Sequence, residues 1–376
     1  MPIWRQSYAR RLACARSWAA NHGSRVLTEL IVTNFNRNFT GVSATAAGVV
    51  RAQAPRYDLA LAGCALPGCP APVTLREARR LSRRTPEGRD FIIWHVRRNT
   101  EMRAALWARD VLRLPIRIVF TSAAQRRHSA LPRWLISRMD AVVATTDKAA
   151  GFVPNVRAVV PHGVDCSAFT PAPDRSAAWR ATGYPGAAGI ATIGRIRPEK
   201  GTDRYVEAML RLLPDRPEVT ALVIGRAGRG DIGFLEGLKA KVQAANLQKR
   251  LLFVGEIAPD ALPALLRGLS AVVQLPVYEG YGMAPLEGMA SGVPFVATDA
   301  GYYRDFSIDG AAGRIVRDAG EAAEALGALL GDPAGQAAMS SAARAAAATR
   351  FSIEAEASGI GAVYDRMWRG MDNQEP

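Results

Sequence analysis

The sequence predicts an α/β protein with two doubly wound domains that face each other across a cleft. Short apolar runs alternate with helical segments along most of the 376 residues, which is typical of parallel sheets flanked by helices. The proline-rich segment Thr170–Gly189 interrupts the alternation, which then starts again. Because ligands bind open parallel sheets at the carboxyl ends of their strands, the cleft is the expected binding site.

The first half of the chain begins with the apolar run Val26–Val32, the polar loop Asn34–Gly41 and the helical segment Val42–Val50. A strand, a turn and a helix in this order are how a doubly wound sheet begins. A second helix is predicted over Glu101–Leu112. Further strands are predicted where β-branched and aromatic residues cluster, at Phe91–Trp94, Ile116–Phe120, Ala141–Ala144 and Ala158–Val160.

The second half repeats this pattern. The predicted strands are Gly189–Ile193, Thr220–Ile224, Leu251–Val254, Ala271–Gln274 and Pro294–Thr298. The predicted helices are Thr202–Leu213, Phe234–Asn246, Pro259–Leu269 and one that begins near Pro285 and ends near Gly292. An alanine-rich tail from Gln336 to Met371 is predicted to be helical, with a break near Arg350–Ser352.

Four segments follow from this pattern. Residues 1–24 carry several arginines and no acidic residue, and they lack the uninterrupted apolar segment of a secretory signal. We expect a basic extension there, with a membrane-touching amphipathic helix as the alternative. The first domain is predicted over 25–165, the second over 166–350, and a C-terminal helix and tail over 351–376.

Composition narrows the possible partners. The 48 Lys and Arg exceed the 34 Asp and Glu by 14, which predicts an anionic partner. No aromatic platform or known motif accompanies this charge, so nucleic acid is not expected. The four cysteines form no CxxC pair, which fits a reducing cytoplasm, and no apolar run approaches the ~20 residues that span a bilayer.

The segment from Pro276 to Gly301 is the most informative part of the chain, since it places Glu279 and Glu287 on either side of a glycine-rich turn. Backbone N–H groups at the start of the following helix favour an anion. Carboxylates on both sides of a phosphate suit the hydroxyl groups of a nucleotide-sugar. The alternative is two solvated glutamates at a helix end. The amides expected to face the anion are those of Gly280, Tyr281, Gly282 and Met283.

The loop GRIRPEKG follows the predicted strand Gly189–Ile193 directly. Arg195 and Lys200 lie in this loop and combine a planar fork with a point charge, the usual pair for oxyanions. Fixed cations stabilise the charge that grows on a departing diphosphate. The alternative is a solvated basic loop. No D-x-D triplet occurs, so we expect metal-independent transfer without a cofactor.

Together these motifs resemble the retaining glycosyltransferases of family 4, also called glycosyl transferases group 1, which have the GT-B fold. The resemblance runs from about Val26 to Trp368 and includes the linker VPHGVDCSAF. It implies two Rossmann-like domains and a final helix that crosses back to the first domain. It also implies that Arg195 and Lys200 bind the diphosphate, Glu279 the donor hexose and Glu287 the ribose. The residues implied to border the base are Gly255 to Ile257.

The first domain carries a narrower resemblance, in WHVRRNTEM, RDVLRLPIRIVFTSAAQRRH and RWLISRMDAVVATT. These runs are similar to lipopolysaccharide core mannosyltransferases, which implies GDP-mannose as donor, a lipid-linked Kdo–lipid A acceptor and retention of configuration. A UDP-sugar donor is one alternative, and the segment around Glu256 and Ile257 should decide the base. A nucleotide-sugar epimerase of the same fold and a non-catalytic binding protein are the others.

The first domain also supplies candidate site residues. Many members of family 4 have a histidine where this chain has Ser122, so His95 is the candidate active-site histidine, and a purely structural role is the alternative. Arg97 and Arg98 are predicted to face an anionic acceptor, unless they pair with Glu101. The remaining candidates for the acceptor or for phosphate are Gly41, Arg126 and Arg127, the last two beside His128.

Two basic segments predict contact with a membrane. Arginines interleave with apolar residues over Arg76–Arg84, and the segment Arg126–Arg138 also contains Trp134. Basic amphipathic helices with tryptophan suit an anionic membrane surface. We therefore expect a peripheral protein on the cytoplasmic face of the membrane, and solvated helix faces are the alternative.

Overall fold

The computed structural model describes residues 27–38 and 40–370, so the basic extension predicted for residues 1–24 lies outside it. The described chain forms two α/β lobes, each around a six-stranded sheet. Every pair of neighbouring strands is parallel, and this architecture confirms the predicted fold. No described helix is both long and apolar enough to cross a membrane.

The first sheet has the strand order β2-β1-β3-β4-β5-β6. Its strands are β1 (Leu30–Asn34), β2 (Leu59–Gly63), β3 (Ile92–Val96), β4 (Ile116–Ser122), β5 (Ala141–Ala144) and β6 (Val156–Val159). Its helices are α1 (Gly41–Gln53), α2 (Leu75–Leu81), α3 (Asn99–Leu106), α4 (Ala130–Ser137) and α5 (Asp147–Ala150).

The second sheet has the order β12-β11-β10-β7-β8-β9. Its strands are β7 (Ala188–Ile193), β8 (Val219–Ile224), β9 (Leu251–Gly255), β10 (Leu269–Gln274), β11 (Phe295–Thr298) and β12 (Gly313–Val316). Its helices are α6 (Arg175–Ala181), α7 (Thr202–Leu212), α8 (Ile232–Ala244), α9 (Leu262–Leu266), α10 (Met283–Ala290), α11 (Tyr303–Ser307), α12 (Ala319–Gly331) and α13 (Pro333–Arg350).

Strand order fixes where the sites lie. The chain leaves the centre of each sheet in opposite directions, which opens a crevice between β1 and β3 in the first lobe and between β7 and β10 in the second. The loops that follow β7 and β10 are the ones that carry the predicted diphosphate cations and Glu279. Topology therefore brings these segments together although about 80 residues separate them in sequence.

The last helix, α14 (Ile353–Trp368), packs against the first lobe rather than the second. Its buried residues Ile360, Val363 and Tyr364 belong to the same apolar cluster as Leu30 of β1. Chain crossover occurs at Phe351–Ile353, where backbone hydrogen bonds join this segment to Val164. The helix that crosses back to the first domain is therefore confirmed.

Some element bounds differ from the sequence expectation. Only Leu262–Leu266 is helical within the predicted helix Pro259–Leu269, because Gly268 packs against the backbone of Trp179 and Leu269 already begins β10. The proline-rich boundary contains a short helix, α6, whose Trp179 is fully buried. The predicted helix Glu101–Leu112 is α-helical only to Leu106 and ends in a π-helical turn.

Candidate active site

The loops that follow β7 and β10 meet through an ion pair. Lys200 Nζ lies 2.7 Å from Glu279 Oε2, and both side chains are partly buried. Backbone contacts hold the loops together, since Val277 N–H donates to the Glu199 carbonyl over 3.0 Å. Gly201 permits this approach: its φ is +69°, and a Cβ there would lie 1.8 Å from the Leu275 carbonyl oxygen. The sequence motifs around these two residues thus form one structural unit.

Arg195 lies in the same loop as Lys200, directly after β7. Its side chain is exposed, and its guanidinium group lies beside Gly228 in the loop that follows β8. The structure places Arg195 and Lys200 at the same edge of the second sheet, as the spacing predicts.

The glycine-rich turn has a more specific shape than the sequence indicates. Gly280 N–H donates to the Glu279 carboxylate over 2.9 Å, so this amide is already used within the turn. Gly282 has φ +99° and packs against the ring of Tyr303, where a Cβ would lie 2.1 Å from a ring carbon. Met283 then begins α10. The amide of Gly280 therefore orients Glu279 instead of facing an anion.

Tyr281 points away from the cleft. Its side chain is buried, stacks on Tyr302 and donates its hydroxyl hydrogen to the His162 carbonyl over 2.7 Å. Only the backbone of Tyr281 can line a donor site, and the backbone N–H is the group that the sequence prediction named. The hydroxyl instead ties the glycine-rich turn to the linker between the lobes.

Glu287 lines a cavity of about 690 Å³ that lies between the lobes. Ile257 and Met283 line it from the second lobe, and helix α1 of the first lobe closes the other side. Burial raises the pKa of the Glu287 carboxyl group to about 7. Gly255, two residues before Ile257, ends β9 and accepts a hydrogen bond from Gly225 N–H. The cavity therefore brings together Glu287, which is expected near the ribose, and Ile257, which is expected near the base.

His95 is buried inside the first lobe. Its Nδ1 is hydrogen-bonded to the Tyr364 hydroxyl on α14, and its Nε2 lies 2.6 Å from Thr121 Oγ1 on β4. Burial lowers the pKa of the imidazole well below its usual value, which keeps it neutral. This geometry does not fit the catalytic role expected for His95, because a base needs a nitrogen that faces the substrate. His95 instead fastens the crossing helix to the sheet.

Arg97 and Arg98 are adjacent in sequence but differ in their surroundings. Arg98 Nη1 lies 3.0 Å from Glu101 Oε1 and also donates to Asn34 Oδ1 over 2.9 Å. The alternative, pairing with Glu101, is therefore correct for Arg98. The Arg98 side chain connects β1 to α3, so it is not available to an acceptor. The Arg97 guanidinium is buried and has no hydrogen-bond partner among the described residues.

The loop that follows β4 reaches the second lobe. Gln125 Nε2 donates to the Gly301 carbonyl over 3.0 Å, and the Arg126 guanidinium lies over the Tyr278 ring. Arg126 and Arg127 are exposed at this edge. Gly41 begins α1 at the β1–β3 crevice and is exposed. Gln125 and Arg126 therefore join the loop after β4 to the second lobe.

His162 of the linker and Glu356 of α14 form a contact that could not be predicted from the sequence. Glu356 on α14 accepts from Gly163 N–H over 2.7 Å and lies 2.8 Å from His162 Nδ1. Both side chains are buried. His162 lies in the linker motif noted from the sequence, but 194 residues separate it from its partner. The two residues come together only because α14 packs on the first lobe, so the pair can be identified from the structure alone.

No group of three or more His, Cys, Asp and Glu side chains within residues 27–38 and 40–370 is placed to hold a metal ion. Metal-independent transfer stays a prediction, because a donor can supply ligands to an ion through its own phosphates.

Known proteins match both the sequence and the fold. Residues 184–346 match the family glycosyl transferases group 1. The lipopolysaccharide core biosynthesis mannosyltransferase LpcC of Rhizobium leguminosarum bv. viciae is 40% identical, over 90% of this chain and 96% of that protein. The corresponding enzyme LpsB of Rhizobium meliloti (strain 1021) is 40% identical, over 91% of this chain and 98% of that protein.

Solved structures agree on the architecture. HepE of Anabaena, crystallised with UDP and glucose, matches with a TM-score of 0.76 over 90% of this chain and 99% of that one, at 16% identity. At that identity the likeness shows the fold alone. Fold, site and sequence similarity lead to one conclusion: the chain belongs to the glycosyl transferases group 1 family and is a glycosyltransferase with the GT-B fold.

Proposed function

We propose that the protein transfers mannose from GDP-mannose to a lipopolysaccharide core acceptor of the Kdo–lipid A type, with retention of configuration. The names of the two relatives that are 40% identical over nearly the whole chain support this sugar and this pathway. The observation that carries the proposal is the contact of Lys200 with Glu279, which places a cation and a carboxylate at the β7–β10 crevice.

In this proposal the second lobe, residues 166–350, binds the donor. Arg195 and Lys200 hold the diphosphate, and the carboxylate of Glu279 accepts hydroxyl groups of the hexose. The backbone from Gly280 to Met283 lines the sugar and phosphate, with the amides of Tyr281, Gly282 and Met283 facing the phosphate, because the Gly280 amide is bonded to Glu279. Glu287 accepts the ribose hydroxyls in the 690 Å³ cavity, and Gly255 to Ile257 border the base.

The first lobe binds the acceptor in the proposed reaction, the domain predicted over residues 25–165, and helix α14 of the predicted segment 351–376 fastens the chain back onto it. An acceptor hydroxyl oxygen forms a bond to the anomeric carbon as the bond from that carbon to the diphosphate oxygen breaks. The hydroxyl proton passes to the departing phosphate oxygen on the same face, so configuration is retained. Lys200 and Arg195 stabilise the charge that grows on the leaving group.

We further propose that the protein is peripheral on the cytoplasmic face of the membrane. Helix α4 of the first lobe exposes Leu131 and Trp134, each with 56% of its surface accessible. Arg133 lies between them in sequence and Arg138 follows the helix. Large apolar side chains beside arginines suit the interface of an anionic bilayer. A lipid-linked acceptor would then reach the cleft from this side.

Incubation of the purified protein with a donor panel tests the proposal. GDP-mannose, UDP-glucose and UDP-galactose are each supplied with and without Kdo–lipid A, and products are identified by mass spectrometry. We expect a hexose mass gain only with GDP-mannose and acceptor together, and an α-linked product by NMR. Transfer from a UDP-sugar would overturn the donor assignment, and conversion of the donor alone would indicate an epimerase. Activity that is lost in EDTA and restored by manganese would contradict metal independence.

A further inference from the structure

A second, smaller cavity lies in the cleft on the side of the first lobe. It has a volume of about 220 Å³, several times the ~30 Å³ that one water occupies in the liquid. Its walls come from the ends of β3 and β4, from α1 and from the linker. The side chains that give it polar character are Arg97, Ser122, His128 and His162. We refer to it as the Arg97 cavity.

The Arg97 cavity lies next to the donor turn. Its wall includes Ala123, whose carbonyl oxygen lies 3.6 Å from the position that a Cβ of Gly280 would take. Gly280 directly follows Glu279, the residue expected to hold the donor hexose. A group bound in the cavity would therefore lie beside the sugar that is transferred, on the side from which the acceptor approaches.

Arg97 is buried without a polar partner for its charge. Only 8% of the residue is exposed, and its Nε, Nη1 and Nη2 make no hydrogen bond to any described residue. Burial lowers the pKa of the guanidinium, which shows that its charged form is poorly solvated there. The Ser122 hydroxyl and the His128 Nε2 are also buried and unpaired within the described chain. Buried polar atoms without partners are rare, and those beside a cavity are the groups that a ligand or an ordered water satisfies.

We propose that the Arg97 cavity binds a single carboxylate of the acceptor glycan, held by the fork of Arg97 and by the Ser122 hydroxyl. This inference rests on the proposed function, because it assigns the group that positions the acceptor beside the donor sugar. The planar guanidinium matches the two oxygens of a carboxylate. The surface arginines 126 and 127 then have no part in this contact.

The charges around the cavity favour a carboxylate over a phosphate group. Glu101 and Glu356 lie close enough to influence the charge of Arg97, although neither bonds to its guanidinium. Glu101 is committed to Arg98 and to the backbone of Arg97, and Glu356 to His162. Both glutamates repel any anion, and they repel a dianion about twice as strongly as a ligand with one negative charge, so the singly charged ligand balances Arg97 better in this setting.

Substitution of Arg97 tests the assignment in the transfer reaction. For Arg97→Met we expect the acceptor KM to rise by about tenfold to a hundredfold, which is the loss of a charge-assisted buried hydrogen bond. Donor KM should stay within about twofold, and Arg97→Lys should recover only part of the loss because it lacks the fork. Arg103→Gln, an exposed arginine on helix α3, which begins two residues after Arg97, is the matched control and should leave both constants unchanged.

The stability of Arg97→Met separates a binding role from a structural one. Removal of an unpaired buried charge should raise the Tm or leave it unchanged while acceptor binding is lost. A lower Tm together with proportional losses for donor and acceptor would overturn the proposal.

Direct binding keeps the test independent of transfer activity. Calorimetry is run on the full chain with the methyl glycoside of a 2-keto sugar acid, with its methyl ester and with mannose 6-phosphate. We expect heat of binding for the free acid alone, and its loss in Arg97→Met. Equal binding of acid and ester, or preference for the phosphate, would overturn the proposal. If acid binding is seen but no donor supports transfer, the cavity assignment holds and the proposed function fails.

Discussion

Lys200 Nζ and Glu279 Oε2 lie 2.7 Å apart, although the two residues come from loops that follow different strands. The other oxygen of Glu279 accepts the hydrogen of Gly280 N–H over 2.9 Å. Both carboxylate oxygens therefore have a partner, and the carboxylate has one orientation before any donor arrives. Lys200 orients the Glu279 carboxylate and also faces the crevice. The pair can therefore contact two neighbouring groups of one ligand, with the carboxylate at the sugar and the ammonium group at its phosphate.

Replacement of Lys200 should weaken transfer more than it weakens the fold. For Lys200→Met we expect kcat/KM for the donor to fall by about a hundredfold to a thousandfold, because a fixed cation at the leaving group is removed. Steady-state kinetics with varied donor measure the effect. Lys239→Met, an exposed lysine that also pairs with a glutamate, is the matched control and should change kcat/KM by less than about twofold.

The double variant Lys200→Met/Glu279→Gln extends this test. Because the two side chains are in contact, their effects on kcat/KM should not add, and the double variant should lose less than the product of the single losses. Strict additivity would mean that the pair acts as two independent residues, which contradicts the shared site.

The Tyr281 hydroxyl should matter for the arrangement of the lobes. Tyr281→Phe leaves the buried His162 carbonyl without its donor, which should cost about 1–3 kcal/mol of unfolding free energy. Urea denaturation measures this loss. Because the ring does not face the donor, kcat should change by less than tenfold. A loss of kcat without a loss of stability would mean that the hydroxyl contacts the substrate.

Gly201 should tolerate no side chain. In Gly201→Ala the new Cβ would clash with the Leu275 carbonyl, and φ at this position is positive, so the loop must move. The substitution should lower the free energy of unfolding by at least about 1–3 kcal/mol. Donor affinity should fall as well, since the loop carries Lys200. Gly233→Ala is the control, because nothing lies within 4 Å of the position that its new Cβ would take, and alanine favours the helix there. A neutral Gly201→Ala would show that the two loops are not closely packed.

The sequence could predict that the loops of Lys200 and Glu279 lie at the same edge of the second sheet, because alternating strands and helices fix which ends of the strands share an edge. It did not predict the contact between the two side chains. It could not predict that the His95 side chain is buried against α14. Strands of a parallel sheet are buried on both faces, so their sequence pattern does not show which face a residue takes. Arg97 and Arg98 look equivalent in sequence. Extended backbone at position 98 turns neighbouring side chains to opposite sides, so one pairs with Glu101 and the other faces a cavity.

Membrane contact of α4 can be tested with vesicles. Leu131→Ser/Trp134→Ser should reduce sedimentation with anionic vesicles by about tenfold or more, because two large apolar side chains no longer insert. Transfer to a short soluble acceptor should be unchanged. Val277→Ser, which also replaces an exposed apolar residue but on the second lobe, is the control. Equal binding of wild type to neutral and anionic vesicles, unaffected by salt, would contradict the proposal.

Glu287 should make both stability and donor affinity depend on pH. Burial raises the pKa of its carboxyl group from the ordinary 4.5 to about 7, so between these values the folded protein holds a proton that the unfolded chain releases. Stability from this group is therefore lost as the pH rises through that window. Glu287→Gln cannot lose a proton, so the difference between its Tm and that of wild type should increase in favour of the variant from pH 5 to pH 8. Glu324→Gln, on an exposed helix face, should show no such pH-dependent difference.

The affinity for GDP should change in the opposite sense, because only the ionised carboxylate accepts both ribose hydroxyls. Wild-type affinity for GDP should fall as the pH drops below about 7, whereas Glu287→Gln should bind GDP about tenfold more weakly at pH 8 with a smaller pH dependence. Titration calorimetry across this range measures both, and the variant corrects for protonation of GDP itself. Identical pH profiles for the two proteins would place the ribose elsewhere than at Glu287.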